Sequence, residues 1–144
     1  MNQKRIDLMI PEALRLLENP LDSFKVMKKD KYKIHSNYVS AIDAFGPSVI
    51  QAGILKTLAF YMKNSEGADK SAILSLIKEV MKTVYPLKDE WKHKNLLEIY
   101  IEETKGKTTI EKLRLKDIIL EAATACKLAK LSFEKYESKE NEEN

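Results

Sequence analysis

One cysteine, two histidines, four glycines and four prolines occur among 144 residues, and each scarcity removes a class of protein. A lone thiol, Cys126, excludes an intramolecular disulfide and a Cys-based zinc site, which needs several thiolates. That usage fits a reducing, intracellular setting. So few Gly and Pro disfavour many short strands joined by tight turns and favour long helices. No apolar run approaches the roughly 20 residues of a membrane span. The opening MNQKRIDLMIPEA lacks the continuous apolar core and small-residue cleavage site of a secretory signal. A cytoplasmic protein with no membrane partner is the expectation.

Chemistry-bearing patterns are equally sparse. His35 and His93 have no carboxylates at ligand spacing, so a metal has weak support and both read as surface or half-buried side chains. Cys126 falls on an apolar stripe, where a thiol is more often inert packing than a nucleophile. No nucleophile elbow, phosphate loop or dinucleotide fingerprint occurs. The Glu-Glu pairs at 102–103 and 142–143 fall on a helix end and a tail, not in a cleft suited to acid–base work. The sequence therefore predicts a binding or structural protein, with no catalytic residue, metal or cofactor.

What is present is a soluble globular composition, 44% hydrophobic and 33% charged. The formal charge is +3, unevenly spread. ESKENEEN, residues 137–144, carries four acids and one lysine, which leaves +6 on residues 1–136. The expected organisation is a helical domain over 1–136 and an acidic disordered tail over 137–144. A basic body is compatible with a polyanion partner, but on charge alone a lysine-rich soluble surface is the better reading, because a functional footprint usually shows a stronger basic patch.

Apolar residues at three- and four-residue steps mark the helices. Residues 3–18 repeat Ile6, Met9, Ile10, Leu14 and Leu17, with Pro11 inside the pattern and expected to kink it. Residues 19–35 read as a loop crowded by Lys25, Lys28, Lys29, Lys31 and Lys33, with Phe24 and Tyr32 among them. Ser36 or Asn37 is placed to cap the next helix. There Tyr38, Ile42, Phe45, Val49, Ala52, Leu55, Ala59 and Met62 form one stripe, and Ile50, Ile54, Leu58 and Tyr61 a second. Apolar on so much of its circumference, this helix is expected to be central. A helix capped by Asp69 is expected over 70–84, ending at Tyr85-Pro86. Residues 88–104 read as helix rather than strand, since no partner strand is evident. After the turn Lys105–Thr108, the Thr108/Glu111 capping-box spacing opens a last helix bearing Leu115, Ile119, Ala122, Cys126, Ala129 and Phe133. The fold class is all-α, a single compact bundle of five to seven helices.

The stretch FGPSVIQAGILKTLAFYMK, residues 45–63, carries Gly46-Pro47 and Gly53 within apolar helix pattern. Gly53 between small residues suggests a close approach by another helix, with a plain helix C-cap as the alternative. Gly46 relieves part of the clash of a residue preceding proline, and the pair should bend or split the helix. On this stretch Lys56 and Lys63 lie seven residues apart and share a face. Lys127 and Lys130 share one on the last helix. Such rows can track a nucleic-acid backbone without reading sequence.

FGPSVIQAGILKTLAFYMK and EAATACKLAKLSF together resemble the small subunit of the type III-B CRISPR effector, the Cmr RNA-silencing complex. The Gly53–Tyr61 run is similar to that family's central helix, and IDLMIPEALRLLE to its first, through the pattern at Ile10–Leu14. The resemblance implies an all-helical, non-catalytic subunit of an antiviral complex. It would stack with copies of itself beside the repeated backbone subunit and contact target RNA paired to the guide RNA. Lys56, Lys63, Lys127 and Lys130, with Gln51 as a polar neighbour, are the expected phosphate contacts, and the lysine loop is a secondary basic site. Two rivals remain: a helical protein–protein adaptor without a nucleic-acid role, and a helix-turn-helix DNA-binding regulator. The second is disfavoured by Pro86 in the join and the apolar LLEIYI where a reading face should be polar.

Overall fold

The apolar spacing over the first turns closes into α1 (Gln3–Glu18), capped by the Asn2 side chain, which accepts from the Arg5 N–H. Pro11 leaves the helix unbroken; it sits on the exposed face, so the carbonyl deprived of a donor meets solvent. Five further α-helices follow among the described residues: α2 (Ser36–Ala52), α3 (Ile54–Tyr61), α4 (Ser71–Met81), α5 (Leu96–Thr104) and α6 (Thr109–Lys130). The computed structural model describes residues 1–19, 28–30, 33–65 and 68–136. The architecture is the all-α bundle expected. The tail expected over 137–144 lies outside the described residues, as do Phe24, Lys25, Lys31 and Tyr32.

Residues 19–35 are not wholly loop. Two short strands, β1 (Lys28–Asp30) and β2 (Lys33–His35), pair antiparallel. β2 also pairs in parallel with β5 (Glu134–Tyr136), which follows α6. A second ribbon, β3 (Asn64–Ser65) with β4 (Ala68–Asp69), links α3 to α4. Strand partners therefore exist, but not for residues 96–104, which are helical. The Asn95 and Glu98 side chains there form a reciprocal capping box.

The spine of the bundle is α6, against which α1, α2, α4 and α5 all pack; the central position expected of 38–62 belongs to it instead. Its seam is built from small residues, with Ala122, Ala123, Ala125, Cys126 and Ala129 all buried. Thr108 opens the helix by accepting from the Glu111 N–H at 3.2 Å.

Gly53 has a different role from close packing. It ends α2 and begins α3 with φ +92° and ψ 160°, backbone that is essentially restricted to glycine. A Cβ built at Gly53 or Gly46 meets nothing within 4 Å, so neither glycine admits a neighbouring helix. The C-cap alternative describes Gly53, and the helix runs unbroken through Gly46-Pro47. The break also resets the helical phase. Before it the first stripe is buried, through Tyr38, Ile42, Phe45 and Val49. After it the second takes over, through Ile54, Leu58 and Tyr61, while Ile50 and Leu55 are exposed. Two contacts hold the halves together: the Tyr61 hydroxyl donates to the Ala41 carbonyl at 2.6 Å, and the Phe45 and Tyr61 rings meet edge-on at 5.2 Å.

Capping of α2 also departs from expectation. His35, not Ser36 or Asn37, is the N-cap, its Nδ1 accepting from the Asn37 N–H at 3.1 Å. Asp69 does engage the start of α4, accepting from the Ser71 N–H at 3.1 Å and from the Ser71 hydroxyl.

Candidate nucleic-acid interface

The residues singled out fall in two places joined by α2, which packs against both α3 and α6. Gln51 is exposed on the last turn of α2, just before the Gly53 break. Lys56 is exposed on α3. Lys63, also exposed, lies beyond the end of α3, where its N–H still bonds to the Phe60 carbonyl at 3.2 Å. Among the described residues no acid pairs with Lys56 or Lys63. The chain carries no acidic residue between Asp43 and Glu66, so this segment is purely basic.

The lysines of α6 diverge. Lys127 is exposed at the rim of a cleft of about 250 Å³ between α2 and α6, whose walls include Gly46, Pro47, Ile50, Ala123 and Thr124. Lys130 is turned inward. It is 8% exposed, and its ammonium lies 2.9 Å from the Asp43 carboxylate on α2. The expected shared face is thus divided: Lys127 meets solvent, and Lys130 ties α6 to α2. In the secondary basic loop, Lys28 and Lys29 belong to β1 and Lys33 to β2.

Two residues escaped the sequence reading. Phe60 is 54% exposed on α3, and the Lys70 ammonium lies 4.5 Å from its ring centroid, within cation–π range. Phe60 was hidden because α3 carries apolar residues on every side. The signal was its spacing, four residues after Lys56 and three before Lys63.

Other polar side chains have structural partners. Glu121, fully buried on α6, accepts from Arg5 and from the Asn2 N–H. Lys78 donates to the Lys92 and Lys94 carbonyls, and burial lowers its pKa. Tyr85 donates to Glu103 at 2.6 Å; burial first, then that carboxylate, push the phenol up. Cys126 is buried and desolvation pushes its thiol well up, away from the thiolate. Among the described residues, no three His, Cys, Asp or Glu side chains converge as a metal-binding group, and no helix is long and apolar enough to cross a membrane.

The fold defines the class as a small all-α bundle with an exposed basic segment. The chain matches the family CRISPR-associated protein (Cas_Cmr5) over residues 18–133 and belongs to that family. It is a subunit of a CRISPR effector complex, of the type III-B small-subunit kind that its sequence resembles. No curated protein and no solved structure gives a further match.

Proposed function

We propose that this chain is a non-catalytic assembly subunit that stacks with copies of itself beside the repeated backbone subunit and contacts target RNA paired to the guide. Cleavage then belongs to other subunits, and the setting is the cytoplasm. The observation that carries the reading is the basic, acid-free segment holding exposed Lys56 on α3 and exposed Lys63 just past its end, with Lys127 exposed on α6. Lysines that pair with no acid among the described residues can neutralise phosphates and release counterions, which gives affinity without sequence selection. Gln51 supplies a polar neighbour, and the lysines around β1 and β2 a secondary site.

Titrating single-stranded RNA against the full chain at increasing salt tests this. Log affinity should fall linearly with log salt concentration, and each of Lys56→Gln and Lys63→Gln should reduce the slope by about 0.7. Salt-independent affinity argues against phosphate neutralisation. In the intact complex the same variants should weaken target RNA binding; unchanged assembly and activity would favour a helical adaptor instead.

A further inference from the structure

Phe60 is the exposed aromatic of a helix whose neighbours Ile54, Leu58 and Tyr61 are buried. Residues four apart share a helix face, so Lys56 and Phe60 lie on one row of α3, and Lys63 follows just past the helix end. The Lys63 N–H bonds to the Phe60 carbonyl three residues back, which keeps Lys63 in a turn next to Phe60. A third ammonium comes from another element: Lys70, at the start of α4, sits 4.5 Å from the Phe60 centroid and 5.8 Å from that of Tyr61. The adjacent acid, Asp69, directs its carboxylate to the Ser71 N–H and hydroxyl. One exposed ring therefore has the Lys70 ammonium against it and two further exposed lysines, Lys56 and Lys63, four residues before and three after it in the chain.

We propose that Phe60 is a base-stacking platform for single-stranded RNA, with Lys56, Lys63 and Lys70 taking the adjoining phosphates. The inference rests on the RNA-contact reading and gives it a non-electrostatic component. Every base has a π-face, so stacking on Phe60 is tolerant of sequence, as a guide-programmed complex requires of its protein surfaces. Lys70 lies over the ring and the Tyr61 ring meets it edge-on at 6.1 Å, yet 54% of Phe60 is still exposed. The three ammoniums select a polyanion over a neutral apolar partner.

The test uses the full chain at low salt and a short oligoadenylate carrying the fluorescent analogue 2-aminopurine, whose emission is quenched on stacking. Phe60→Ala should lose about tenfold in affinity and most of the quench, with the salt slope unchanged because no charge is removed. Phe60→Trp should keep both, while Lys63→Gln should lower affinity and slope together. Phe60 is half exposed, so Phe60→Ala should melt as the native chain does, which circular dichroism checks. If Phe60→Ala binds and quenches normally while the lysine variants weaken, the stacking role is overturned and the phosphate reading stands. If the native chain does not bind at low salt, or binds independently of salt, both fall. Normal RNA affinity with lost incorporation into the complex would overturn stacking in favour of a protein-docking role.

Discussion

The Arg5 guanidinium and the Glu121 carboxylate form a two-pronged ion pair between α1 and α6, with Nε and Nη2 at 2.6 and 2.9 Å from the two carboxylate oxygens. Glu121 is fully buried and the Arg5 side chain is 33% exposed. Removing either partner should therefore have unequal effects. Arg5→Ala leaves a buried, unpaired carboxylate and should destabilise by about 3 kcal/mol. Glu121→Gln leaves an arginine that water reaches, and should cost about half as much. Urea midpoints of the two variants check the order.

The same pair predicts acid sensitivity. Burial raises the pKa of Glu121, but the hydrogen bonds from Arg5 and the Asn2 N–H and the Arg5 charge outweigh it, and the net shift is downward. A depressed folded-state value means that the stabilisation is complete above the unfolded value of about 4.3. It is lost as pH falls through the lower folded value. Urea midpoints should fall between pH 5 and 3 in the native chain, and less steeply in Glu121→Gln.

Gly53→Ala should destabilise by about 2 kcal/mol, the cost of holding a side chain in backbone that glycine alone adopts readily. Because a Cβ there meets no neighbour, the loss is conformational rather than steric. A crystal structure of the variant should show a local change at the α2–α3 junction without repacking of the core. Full retention of the thermal midpoint would refute this account of the break.

Lysine substitutions should separate by role. Lys130→Ala removes the partner of Asp43 and a largely buried aliphatic stem, and should lower stability by about 1–2 kcal/mol. Lys56→Ala, Lys63→Ala and Lys127→Ala, at exposed positions, should stay within about 0.5 kcal/mol of the native chain. Thermal melts of the four variants provide the comparison.

Cys126 should resist thiol reagents in the folded chain. Its side chain is buried and its pKa is raised by desolvation, so both access and thiolate fraction are low. Alkylation should become fast only in denaturant; rapid labelling under native conditions would contradict the packing of the α6 seam.

Much of this architecture was legible locally. The α1 stripe and the Thr108 cap with its small-residue seam identify α1 and α6 from spacing alone. Sequence also gave both apolar stripes of the 38–62 region, but not the switch between them, because periodicity does not report the φ of one glycine. His35 was overshadowed as a cap by the better cappers beside it. Lys130 carried an unused signal, since it follows buried Cys126 by four residues and shares its side of the helix. The burial of Glu121 could not be read, because the arginine that makes it tolerable lies 116 positions away. Phe60 likewise needed a structure to show which part of an all-round apolar helix faces water.

The pairing of the first helix with the last also bears on biosynthesis. A ribosome releases Ile6, Met9 and Leu17 long before the segment from Thr109 to Lys130 that will cover them. Until that segment emerges, the nascent chain exposes a greasy stripe and relies on chaperones or on speed to avoid clumping. A premature stop codon upstream of Thr109 should therefore yield an insoluble fragment rather than a smaller working domain.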